Sequence, residues 1–73
     1  MTNELKLMNR VTFYLETLWY LEALAKESYR VYKETDVHFY KEYQWTQHVQ
    51  TMRAIAWVKN RLKQAKNALK NEL

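Results

Sequence analysis

Neither glycine nor proline occurs anywhere in the 73 residues. Turns that need a positive φ would have to use Asn or Asp. A sheet protein with several hairpins is hard to build on those terms, whereas a chain with one or two loops is easy. Abundant Leu, Ala, Lys, Glu and Gln favour helix as well. The composition therefore predicts an all-α fold with few connections.

Apolar spacing gives the elements. From Leu5 onward, Met8, Val11, Leu15, Leu18, Ala25, Tyr29 and Tyr32 recur at steps of three and four, with Glu22 in the one gap. Leu7, Tyr14 and Leu21 widen this stripe, which suits a bundle better than a narrow two-stranded seam. Thr2 or Asn3 can cap the start, and Glu4 suits the positive end of the dipole. These features predict helix 1 over about 4–33, about 45 Å long. A second apolar face, Phe13, Tyr20, Leu24 and Val31, lies away from Val11 and Leu18, with Trp19 on another flank.

Lys33-Glu34-Thr35-Asp36 is the expected turn, with Thr35 or Asp36 accepting from free N–H groups of the next helix. One helix running straight through is the competing reading. Helix 2 is expected over about 37–72. Phe39, Tyr40 and Tyr43 point one way and Trp45, Val49 and Met52 roughly the other. The stripe then narrows to Ile55, Val58, Leu62, Ala65, Leu69 and Leu73. That change of face near 44–46 suggests a kink or a break, with Thr46 as a cap. The alternative to a two-helix hairpin is thus three segments, with a short helix over 37–43 and a long one over 46–72.

Seventy-three residues make one domain. Such a chain buries only about 60% of its unfolded surface, and disulfides, metals or oligomerisation are the usual supplements. There is no cysteine, which excludes disulfides and thiolate zinc sites. An oligomeric helical bundle, most simply a homodimer, is the expectation. No apolar leader and no run near ~18 apolar residues is visible, so a soluble, cytoplasmic protein with no membrane contact is expected.

Catalytic chemistry finds little support. Ser28 is the only serine, and neither His38 nor His48 has a hydroxyl partner by spacing. His38 and Glu42, at i and i+4, with Glu34 and Asp36 near, make half a metal site, short of the three protein ligands of a catalytic zinc. Glu22, Lys26, Glu27 and Arg30 read as a charged flank, although Glu22 sits on the core stripe and could set register through an ion pair. No catalytic residue, metal ligand or cofactor is assigned.

Charge and aromatics carry more. The net charge is +4, and residues 53–73 hold six Lys/Arg against one acid. Lys59, Lys63, Lys66 and Lys70, spaced four, three and four, form a cationic stripe. It can follow a nucleic-acid backbone without reading sequence, or it can simply neutralise the helix C-terminus. Eleven aromatics exceed what so small a core can bury, and Tyr and Trp are typical anchors of protein interfaces. The sequence thus points to a non-catalytic interaction or regulatory protein, of adaptor or inhibitor type. Its expected partner-binding residues are Phe13, Trp19, Tyr20, Leu24, Phe39, Tyr43 and Trp45. A nucleic-acid-binding oligomer using Lys59, Lys63, Lys66 and Lys70 is the alternative.

Overall fold

The computed structural model describes residues 3–72, and these form two antiparallel helices. Helix α1 spans Asn3–Glu34 and helix α2 spans His38–Glu72. Both lie within a residue or two of the expected ranges. The hairpin measures 53 × 14 × 14 Å, so it is a rod two helices wide. Thr2, a proposed cap, and Leu73, the last stripe residue, lie outside the described residues. No helix among the described residues is long and apolar enough to cross a membrane.

The connection solves the missing-glycine problem with a hydroxyl. No described residue has positive φ. The Thr35 N–H still donates to the Val31 carbonyl at 3.0 Å, which extends α1 by one bond. The Val37 N–H then donates to Thr35 Oγ1 at 3.4 Å, and the Lys41 N–H donates to the Val37 carbonyl at 2.8 Å, opening α2. Thr35, one of the two expected acceptors, thus steers the chain with its side chain, as Ser/Thr turns do. One straight helix is ruled out.

The core runs along the middle of the rod. Leu18 and Ala25 of α1 pack with Ile55, Val58 and Leu62 of α2. Ala65 and Ser28 are also buried, and Val11, Tyr14, Leu15 and Leu21 pack around the cluster. The predicted stripe is therefore correct at its centre and dilutes outward, with Met8 and Tyr29 nearly half exposed. No described side chain is below 2% exposure. A two-helix sandwich has one buried seam, and any residue wider than the seam reaches water.

Helix α2 runs unbroken through 44–46, so the three-segment alternative is not realised. Thr46 is a helix-interior residue rather than a cap. The change of face has another cause. Trp45 packs beside Tyr32 of α1, with ring centroids 5.1 Å apart, and beside His48 at 5.6 Å. Tyr40 and Tyr43 stack on each other at 6.2 Å on a different face. One continuous helix simply presents different flanks with its aromatics.

Candidate interaction surfaces

Each long side of the rod carries shallow grooves where the helices meet, and the linings differ. One groove is lined by Leu24, Glu27, Ser28 and Thr51 with Tyr43 and Gln47. A second is lined by Leu7, Arg10 and Tyr14 with Arg61, Gln64 and Ala68. Eighteen residues, five full turns, separate Tyr43 from Arg61, so both grooves open on the same side. Phe13, Tyr20 and Leu24 fall on this side by their steps of seven and four. Phe39 lies one turn before Tyr43, and Trp57 lies fourteen residues after it, so both join them. Phe13 meets Tyr14 edge to face at 5.7 Å, and Arg61 sits over the Trp57 ring at 5.0 Å. This is the aromatic side.

On the opposite side, a groove is lined by Glu22, Lys26 and Tyr29 of α1 with His48, Met52 and Lys59 of α2. Lys63, Lys66 and Lys70 continue from Lys59 at steps of four, three and four. Trp19 stands seven residues before Lys26, and Trp45 seven before Met52, so both tryptophans belong here. Lys33 lies over the Tyr29 ring at 5.4 Å and Lys41 over the Tyr32 ring at 4.9 Å. This is the lysine side.

All seven residues expected to bind a partner are exposed, Phe39 by 82%, Tyr20 by 65%, and Phe13 and Trp19 by 63% each. They do not form one patch. Phe13, Tyr20, Leu24, Phe39 and Tyr43 share the aromatic side, whereas Trp19 and Trp45 share the lysine side. Trp57, 56% exposed, belongs with the first group. Sequence reading passed over it, although Tyr43, Gln50 and Trp57 at steps of seven were a usable signal.

Charge separates the sides further. Lys59, Lys63, Lys66 and Lys70 are all exposed, and none forms an ion pair among the described residues. Among the described residues Arg30 is ion-paired with Glu27 and Glu34, and His38 Nε2 faces the Glu42 carboxylate. Hydrogen bonds from Arg30 hold the Glu27 carboxyl below the usual carboxylate range, and the same pairing raises the Arg30 guanidinium. Glu22 is exposed and sets no buried ion pair within the hairpin.

The chemistry-bearing residues are brought together differently from expectation. His48 does gain a hydroxyl neighbour, Ser28, twenty residues away, with Nδ1 3.4 Å from Oγ. Yet Nδ1 also lies 3.0 Å from the Ala25 carbonyl, and Ser28 Oγ donates to that same carbonyl at 3.1 Å. A ring nitrogen facing a carbonyl oxygen carries its proton, so it cannot accept one from the serine. This cluster is a polar tie between the helices, not an activated nucleophile. His38 Nε2 lies 3.1 Å from Glu42 Oε1, as the i,i+4 spacing predicted, but both side chains are solvated. Among the described residues no group of three or more His, Cys, Asp or Glu could hold a metal ion.

No protein-family model, curated protein or solved structure matches the chain.

Proposed function

We propose that this chain is a non-catalytic interaction protein of adaptor or inhibitor type, which binds another protein through its exposed aromatic and apolar faces. The observation that carries this reading is the exposure of Phe13, Trp19 and Tyr20 of α1 and Phe39 of α2, each more than 60% open to water. Large aromatic bodies on a rigid scaffold lose little conformational entropy when covered and supply most of the binding energy at protein interfaces. Cytoplasmic action belongs to the same reading, supported by a chain without cysteine. The test is affinity capture from the native cell with the wild-type chain, Tyr20→Ala, and Trp19→Ala with Trp45→Ala. A complex that survives high salt and is lost in at least one variant supports the reading. Captured proteins indifferent to every aromatic overturn it.

A second reading draws on the exposed lysines. Lys59, Lys63, Lys66 and Lys70 make a cationic edge about 16 Å long at 1.5 Å per residue, suited to a phosphate backbone. Binding would be sequence-independent and steeply salt-dependent through counterion release. A salt titration against generic DNA and RNA tests it. Retention of all binding by Lys63→Glu with Lys66→Glu excludes it.

A further inference from the structure

The surface of the rod is too large for its mass. The chain exposes 5868 Å², whereas a globular protein of 9.0 kDa exposes about 4,900 Å². The hairpin therefore carries about 1,000 Å² beyond the globular expectation. A stable interface takes roughly 800 Å² from each partner, so covering one long side of the rod would account for the excess.

Charge decides which side. On the lysine side, two copies would close together two surfaces that each carry Lys26, Lys59 and the Lys63–Lys70 run, with Glu22 the one acid in the groove lining, and like charges in a closing interface repel. On the aromatic side, Arg10, Glu27 and Arg61 line the grooves, Arg61 already rests on Trp57, and Lys6 and Arg53 fall on the same flank, seven residues before Phe13 and one turn before Trp57. The rest of the groove lining there is aromatic, aliphatic, Gln, Ser or Thr. A largely apolar side without a run of like charge is what a two-fold interface needs, because the same patch must suit itself.

We infer that the aromatic side is covered by a second copy of this chain, giving a two-fold four-helix bundle. Phe13, Tyr20, Leu24, Tyr43 and Trp57 become its interior, and the lysine side, with Trp19 and Trp45, faces outward. This deepens the protein-binding reading and rests on it for the role of exposed aromatics. It assigns one face to self-association and leaves the other to a different partner.

Sedimentation of the wild type, Tyr20→Lys, Trp57→Lys and Trp19→Lys across the micromolar range tests the inference. The wild type and Trp19→Lys are dimers, and Tyr20→Lys and Trp57→Lys each weaken association by at least about tenfold. Should the weakened variants also lose helix, accessibility reports independently. The chain has no native cysteine, so a single introduced thiol is a clean probe. Gln50→Cys, between Tyr43 and Trp57, reacts with a maleimide-polyethylene glycol at least about tenfold more slowly than Ala23→Cys, one turn from Trp19. A folded wild-type monomer, equal reaction at the two positions, or a dimer broken by Trp19→Lys but not by Tyr20→Lys overturns the inference. A monomer that still captures another protein through Trp19 and Trp45 leaves the protein-binding reading intact. A dimer that captures nothing by its aromatics removes that reading and leaves the self-association.

Discussion

The two long sides of this hairpin share one seam and one pair of helices, yet they present opposite chemistry. The aromatic side joins Phe13, Tyr20 and Leu24 of α1 to Tyr43 and Trp57 of α2 across grooves with few charges. The lysine side joins Tyr29 and Met52 to Lys26 and Lys59, and α2 extends it with three more lysines. A helix contacted on one stripe leaves two flanks, and antiparallel pairing adds each flank of α1 to a flank of α2. Amphipathicity in this molecule thus has three levels: a buried seam, an apolar flank and a cationic flank. The difference teaches that exposed aromatics are not one class. Trp19 and Phe13 are equally exposed, but one lies on the flank that carries Lys26 and the other on the flank of Tyr20 and Leu24.

The largest effect comes from removing what both sides rest on. Leu18→Ala should cost about 2–5 kcal/mol, because Leu18 packs with Ile55, Val58 and Leu62 in the seam. Urea denaturation followed by circular dichroism measures it, and both binding faces should disappear together. Next, Tyr20→Ser with Leu24→Ser should lower the melting temperature in a concentration-dependent manner, since the lost energy belongs to association. Trp19→Ser, the matched change on the other side, should leave that concentration dependence unchanged. Equal behaviour of the two variants would erase the distinction between sides.

The lysine side is sharpened by salt. If it binds nucleic acid, each of Lys63→Glu and Lys66→Glu should lower the slope of log affinity against log salt by about 1. Neither should alter self-association. Ser28→Ala probes the tie between the helices. It removes the hydroxyl's bond to the Ala25 carbonyl within α1 and its 3.4 Å contact with His48 Nδ1, while His48 keeps the Ala25 carbonyl, so a loss of about 0.5–1.5 kcal/mol is expected from urea midpoints.

The smallest effect is that of Glu27→Gln. Arg30 depresses the folded-state pKa of Glu27, so the pair's contribution is present above the unfolded carboxylate value, about 4.3. It is lost as pH falls through the lower folded value. The wild type should therefore exceed the variant in urea midpoint at neutral pH, with the gap closing in acid. Both side chains are solvated, so added salt should shrink the gap as well.

Much of the fold was legible because its causes are local. The three-and-four spacing from Met8 to Tyr32 and from Ile55 to Leu69 places both helices to within a residue or two. The polar run ending in Thr35 and Asp36 places the turn. The i,i+4 pair of His38 and Glu42 was equally readable, since helical rise alone brings it together. The face change at Trp45 misled in one respect. It looked like a possible break, when the aromatics only occupy different flanks of one continuous helix.

What the sequence by itself determined is helix, turn and the angular position of every side chain about its own axis. These follow from backbone sterics, the absence of glycine and proline, and a period of 3.6 residues. What only the tertiary structure decided is how two such cylinders are rotated and slid against each other. That choice sets Ser28 against His48 and Tyr32 against Trp45. It puts Leu24 and Tyr43 on one side, and Lys26 and Lys59 on the other. Rotation about the seam depends on how Leu18, Ile55, Val58 and Leu62 interlock, and packing of that kind links residues too distant along the chain for any periodicity to register.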